Sequence, residues 1–160
     1  MNRARALFTH LALCLAHVWR PMTTSCIFCK IVAGQIPCYK VFENDDALAF
    51  LDIGPISTGH TLLIPKTHVD RIDQCPPELL AKIVQVLPML AKAVATAVDA
   101  PAFNILCNNG SAAGQVVRHL HFHIIPRHEK DGVLTQWPAF KYPEGQAAML
   151  CQKMIENLKK

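Results

Sequence analysis

Residues 119–126 read His-Leu-His-Phe-His-Ile-Ile-Pro. In a strand, successive side chains alternate faces, so His119, His121 and His123 project together while Leu120, Phe122 and Ile124 turn toward a core. Imidazole has its ordinary pKa near neutrality, so one ring can attack as the neutral base while a neighbour donates hydrogen bonds. Acyl or phosphoryl transfer is the chemistry such a row suits. A histidine-rich strand with solvated rings is the bland alternative, and it does not account for the apolar alternation on the other face. Just before the strand lies Asn108-Asn109-Gly110-Ser111-Ala112-Ala113-Gly114-Gln115, whose small residues let backbone N–H groups approach an anion. Alone, that loop is equally a hairpin turn. Beside the histidines, its Asn and Gln amides are expected to orient phosphate oxygens. The chain has no G-x-x-x-x-G-K-[ST], which excludes a P-loop nucleotidase.

The elements that must carry these groups follow from periodicity and turn residues. Residues 26–33 read as a short helix ending near Gly34, and 39–43 and 47–52 as strands around the turn Asn44-Asp45-Asp46. A third strand, 61–64, is bounded by Gly59 and Pro65, and 102–108 and 119–126 add two more. Pro76-Pro77 opens a long helix, apolar at 80, 83, 84, 87, 90, 94 and 98, in which Pro88 predicts a kink. Residues 144–160, apolar at 147, 150, 151, 154 and 158, read as a closing amphipathic helix. Hairpins with segregated helices predict an α+β fold with a mainly antiparallel sheet.

A chain of 160 residues, 51% hydrophobic and 18% charged, fits one globular domain and excludes collagen-like, low-complexity and wholly disordered classes. The formal charge is +4, but Arg3, Arg5 and Arg20 account for three of sixteen basic residues; the remaining thirteen against twelve acidic leave +1. No basic run survives in the body, so a nucleic-acid footprint is not expected. Seven scattered cysteines, an odd number, point to a reducing, cytoplasmic setting. Residues 1–21 contain an apolar run too short to span a bilayer, interrupted by His10 and His17, and ending in Trp19-Arg20-Pro21 rather than a small-residue cleavage site. The expectation is an extension outside the fold, with Met22 as the true start and residues 22–160 as the domain; a genuine tail is the alternative. No membrane association is expected.

Cys26-Ile-Phe-Cys29, Phe50-Leu-Asp52-Ile, Gly59-His60-Thr-Leu-Leu-Ile-Pro65-Lys-Thr-His68, Asn108-Asn-Gly110 and Gly114-Gln115-Val-Val-Arg-His119-Leu-His121-Phe-His123 together resemble the histidine triad (HIT) family over about residues 24–130. The branch most resembled is that of bacterial members near the nucleotide-binding, or phosphoramidase, proteins. The resemblance implies a homodimer with a five-stranded antiparallel sheet per subunit, binding purine nucleotides and cleaving a bond at the α-phosphorus. It makes His121 the nucleophile of a nucleotidyl-histidine intermediate, with His123 on the phosphate and His60 completing the polar network. Asp52 would accept from ribose hydroxyls, and Ile27, Phe28, Phe50 and Ile53 would wall the base. Ordinary core packing is the alternative for those four, and turn capping for Asp52. Where many relatives carry Ser or Thr after the Gly-Gln pair, this chain has Val116, which offers no side-chain hydrogen bond to a phosphate or leaving group.

Cys26 and Cys29 with His68 and His119 make the ligand set of a closed tetrahedral zinc site, which the resemblance supports because some bacterial relatives hold zinc with such residues. A redox C-x-x-C and two buried thiols are the other readings; the strand-then-helix setting of a redox pair is missing. Cys38, Cys75, Cys107 and Cys151 read as small core residues. The function expected is hydrolysis of purine nucleoside phosphoramidates or related nucleotidyl bonds. A dinucleoside polyphosphate hydrolase, or a nucleotide-binding regulatory module with weak turnover, is the alternative.

Overall fold

A computed structural model describes residues 25–134 and 138–159; the expected extension, its boundary at Met22 and Cys14 lie outside them. The described residues form two compact units, one ending at His128 and one beginning at Glu129.

The first unit opens with helix α1 (Ile27–Val32) and a hairpin of strands β1 (Lys40–Glu43) and β2 (Ala47–Leu51). Asn44 closes the hairpin: its side-chain oxygen accepts from the Asp46 and Ala47 N–H groups at 3.0 and 2.7 Å, the local bonding for which Asn is favoured in turns. Strands β3 (Thr61–Pro65), β4 (Ala102–Leu106) and β5 (Phe122–Arg127) complete a five-stranded sheet in the order β1-β2-β3-β5-β4, antiparallel throughout. This is the expected α+β architecture. Gly59, at the entry to β3, has φ +82°, and a Cβ there would lie 3.0 Å from a Val98 methyl carbon. Only glycine serves there without strain, which fixes the backbone leading into His60.

The expected long helix is two, α2 (Pro77–Val84) and α3 (Leu87–Ala97). Pro88 lacks the N–H that would bond to the Val84 carbonyl, so the helix breaks one turn before it. Together, Pro77–Ala97 form a segment long and apolar enough to cross a membrane by length and composition. Here Ile83, Val86, Leu90, Ala91 and Val94 pack on one sheet face with Ala47, Ala49, Leu63, Leu120, Phe122 and Ile124. The opposite face carries Leu48, Phe50, Leu62 and Ile64 against Phe28 of α1. Each fully buried aliphatic side chain stabilises by roughly 1.5–3 kcal/mol, so the alternating residues 120, 122 and 124 anchor the segment that holds the histidines.

Two expectations need correction. Ladder pairing of β5 starts at Phe122 rather than His119; residues 119–121 keep the alternation, but there the Leu120 N–H bonds the Val69 carbonyl at 2.6 Å instead of a neighbouring strand. In the second unit, helix α4 (Gln146–Asn157) forms but contains no buried residue. Cys151 is therefore exposed and not a core thiol. Cys75 and Cys107 do pack against the main core, and burial pushes both thiols up from their ordinary pKa.

Candidate functional site

The histidines lie on the sheet face that packs against α1. His119 is wholly buried, and its Nε2 lies 2.9 Å from the Pro65 carbonyl. A carbonyl only accepts, so Nε2 carries the proton and Nδ1 the lone pair. His121 is oriented by the same device, with Nδ1 2.6 Å from the His119 carbonyl, which leaves Nε2 as the free lone pair of a neutral ring. The Phe28 ring meets both imidazoles edge-on, with centroids 5.8 Å from His119 and 5.4 Å from His121. His123 meets His121 edge-on, with centroids 4.9 Å apart, and its Nδ1 is 2.9 Å from His60 Nε2. The Ile56 N–H points at His60 Nδ1 from 3.4 Å, so the His60 Nε2–H donates to His123 and the remaining His123 proton is on Nε2. That Nε2 is buried with no partner among the described residues, a donor awaiting an acceptor.

Burial favours the neutral form of His60, His119 and His123. It pushes His119 and His123 down to about 4, and it lowers His60 against the opposing pull of the Asp52 carboxylate. For His60 and His123 the unfolded chain binds protons below its ordinary histidine value near 6.5 while the native state resists them, so their contribution to stability is present above that pH and is lost as pH falls below it, for His123 down to about 4. Urea unfolding across that range should show a falling midpoint in the wild type and a shallower fall in His123→Gln. Equal slopes would mean that His123 does not resist protonation in the native state.

Beside the rings opens a cleft of about 350 Å³ that brings together Ile27, Phe28, Phe50, Asp52, Ile53, Gly114, Val116, His121 and His123. Ile53 and Val116 are 89% and 91% exposed, so both lie at its mouth rather than in a core. Phe50 and Phe28 are core and wall at once, edge-to-face at 5.6 Å. Asp52 fills the turn-capping part, its Oδ1 accepting from the Gly54 N–H at 2.8 Å, while its Oδ2 lies 3.6 Å from His60 Nδ1. Asp52, His60 and His123 are close enough to suggest a cation site. Both nitrogens of His60 are already engaged, Nδ1 by the Ile56 N–H and Nε2 by His123, so the hydrogen-bonded pair is His60 with His123, and Asp52 acts on it as a nearby negative charge.

Asn108 and Gln115 are not among the residues lining the cleft. The Gln115 amide is consumed inside the loop: its oxygen accepts from the Gly110 N–H at 2.7 Å and its nitrogen donates to the Asp70 carbonyl at 2.6 Å. Asn109 is a staple too, accepting from the Ile72 N–H at 2.8 Å. The Gln115 and Asn109 amides are thus tied within the protein rather than presented to the cleft as expected. Cys38, Leu62 and Val117 line the cleft without having been expected. Leu62 had a signal, since it pairs with His123 across the strands and shares its face; Cys38 and Val117 belong to loops and had none.

The second cluster brings Cys26, Cys29, His68 and His119 together, one donor atom from each within 4.8 Å of the others. The two Nδ1 atoms are 3.2 Å apart, and sulfur-to-Nδ1 distances run 3.2 Å (Cys29 to His68), 3.5 Å (Cys26 to His119) and 3.6 Å (Cys29 to His119). A tetrahedral zinc with ordinary bond lengths would set N···N at about 3.3 Å and S···N at about 3.6 Å. Both imidazoles turn a lone pair inward, because His119 Nε2 is tied to Pro65 and His68 Nε2 lies 2.9 Å from Asp70 Oδ1. These four residues can hold a metal.

A HIT domain family model matches residues 33–130. The chain is 43% identical over 136 residues to adenosine 5'-monophosphoramidase hnt1 of Schizosaccharomyces pombe, covering 84% of this chain and 99% of that one. It is 44% identical over 110 residues to adenylylsulfatase HINT3 of Arabidopsis thaliana, covering 69% of this chain but only 56% of that protein's length. A crystal structure of a HIT family member from Bacillus subtilis matches with TM-score 0.78 at 40% identity, covering 82% and 96% of the two chains. A zinc-bound histidine triad family protein from Mycobacterium smegmatis matches with TM-score 0.64 at 34% identity, covering 84% and 96%.

Proposed function

Because this chain belongs to the HIT domain family, we propose that it is a nucleotide hydrolase acting at the α-phosphorus of purine nucleoside phosphoramidates or related nucleotidyl substrates. The observation that carries this reading is the His119 carbonyl held 2.6 Å from His121 Nδ1, which leaves a neutral, oriented Nε2 on a ring lining an apolar cleft. The nucleoside base takes the Ile27, Phe28 and Phe50 walls, and the ribose hydroxyls meet Asp52. His121 Nε2 gives its lone pair to phosphorus as the bond to the leaving nitrogen breaks, and the amine departs with a proton taken from solvent, which the hydrolysis step returns to solvent. Water then cleaves the phosphorus–His121 bond, releasing the nucleoside monophosphate and restoring neutral imidazole. The unpartnered His123 Nε2–H supplies a hydrogen bond to a phosphoryl oxygen as charge builds there. Val116 adds no hydroxyl for the leaving group, so among phosphoramidates turnover should favour those whose amine departs most readily.

Turnover of an adenosine phosphoramidate, a diadenosine polyphosphate and adenylyl sulfate, measured side by side, tests the reading. Fastest release of AMP from the phosphoramidate supports it. A preference for the dinucleotide would assign the neighbouring chemistry, and binding of AMP without turnover of any of the three would make the protein a nucleotide-responsive module. The monophosphoramidase name of the Schizosaccharomyces pombe relative supports the first outcome.

The same reading places structural zinc at Cys26, Cys29, His68 and His119, on the donor separations above and the zinc-bound relative. Bound there, the metal would supply cross-linking between α1 and the sheet. We also propose a homodimer: among the described residues β4 pairs only with β5 in the sheet, and it exposes Phe103 and Ile105. Light scattering behind size exclusion should give twice the 17.7 kDa chain mass at micromolar concentration. A monomer persisting at high concentration would count against it.

A further inference from the structure

Asp70 does not line the cleft and is not one of the four metal donors, yet three contacts converge on it. Its Oδ1 lies 2.9 Å from His68 Nε2, its Oδ2 lies 3.1 Å from an Arg118 guanidinium nitrogen, and its backbone carbonyl accepts from the buried Gln115 amide at 2.6 Å. Gln115 in turn holds the Gly110 N–H, and the adjacent Val69 carbonyl holds the Leu120 N–H at 2.6 Å. The loop from Gly110 to Arg118 is thereby closed on itself and fastened to the residues beside His68. Its outer side supplies Gly114, Val116 and Val117 to the cleft. The facing wall, Ile27 and Phe28, lies between the donors Cys26 and Cys29.

We propose that Asp70 is a positioning residue that couples the four-donor centre to this loop, so that loading the centre with metal tightens nucleotide binding in the cleft. The proposal rests on the nucleotide reading above. The physical reason lies in the two inward lone pairs: with Nδ1 of His68 and of His119 3.2 Å apart, a cation between them turns a repulsion into two bonds. His119 cannot yield, because it is buried and tied to Pro65. His68 therefore moves when the centre is empty, and Asp70 moves with it, since the group that holds a ligand's outer nitrogen sets the ring orientation and is set by it. Asp70 carries that shift to the loop through its carbonyl to Gln115. The exposed Arg118 pair adds little by itself. Coupling is reciprocal, so AMP must tighten the metal by the same factor as the metal tightens AMP.

The experiment uses the full chain, zinc and AMP. AMP affinity is measured by calorimetry with the protein zinc-loaded and after chelation, together with hydrogen exchange over residues 110–118. In the wild type zinc should tighten AMP by about 5-fold or more, the lower end of ordinary coupling between sites, and should slow exchange in the loop. Asp70→Ala should weaken zinc by about 10–100-fold and, at saturating zinc, lose both responses. Gln115→Ala should keep its zinc affinity and lose the same responses, a pattern that a merely structural Gln115 would not give. Asp70→Asn, whose amide oxygen still accepts from His68, should retain most of the zinc affinity and serves if the alanine variant fails to fold. Loop exchange and AMP affinity unmoved by zinc in the wild type, or a full zinc response in both Asp70 and Gln115 variants, would overturn the proposal. Absence of any AMP binding would overturn the nucleotide reading instead, and loop exchange alone would then decide the role of Asp70.

Discussion

Replacing His121 with alanine should abolish turnover, by on the order of 10³-fold or more, while leaving nucleotide affinity close to the wild-type value. The two effects separate because different groups produce them. Affinity comes from the apolar walls, from Asp52 and from the loop N–H groups, none of which the imidazole of His121 holds in place. Phe28 leans on that ring, but it is also packed with Leu48, Phe50, Leu62 and Ile64 and stays put. The chemistry depends on a lone pair that the alanine lacks, and His123 cannot substitute, because its Nδ1 is occupied by His60 and its Nε2 bears the proton. Rapid acid-free quench with a slow substrate, followed by mass spectrometry, should find the nucleotidyl group on His121. An adduct on another residue, or a variant that has lost AMP binding along with turnover, would reassign the nucleophile.

Removal of the metal should have the next largest effect. Protein purified without chelator is expected to carry about one zinc per chain, and chelation should lower its Tm. A metal present at about 1,000 times its Kd contributes about 4.1 kcal/mol, and each kcal/mol moves Tm by about 2–4 °C in a chain of this size, so the drop should be about 8–16 °C. Cys29→Ser should reproduce it without chelator, since Cys29 lies 3.2 and 3.6 Å from the two Nδ1 donors and is itself buried. Equal melting of the metal-free protein and the purified one would leave Cys26 and Cys29 as ordinary buried thiols.

The histidine row, the glycine-bearing loop and the Cys-x-x-Cys were legible because strand alternation and ligand spacing are properties of local sequence. The hairpin at Asn44 and a disturbance at Pro88 were legible for the same reason, since a side chain that bonds its own turn and a residue without an N–H act within one turn of themselves; the sequence reads a kink there, and the fold makes it a break between two helices. Tertiary structure decided everything that depends on which groups meet across the fold. Local sequence makes Gln115 a good phosphate contact, but only the packing of its loop on Asp70 uses up both ends of its amide. Amphipathic spacing predicts α4 and puts Cys151 on its apolar stripe, yet the helix has no buried residue, because periodicity specifies a face and not what covers it. The tautomers of His119 and His121 are set by the Pro65 and His119 carbonyls, and main-chain acceptors leave no mark in residue type. Residue types and spacing thus determined which atoms this chain has for phosphorus chemistry and metal binding; the fold decided which lone pair faces the cleft, because that depends on hydrogen-bond partners brought together from distant parts of the chain.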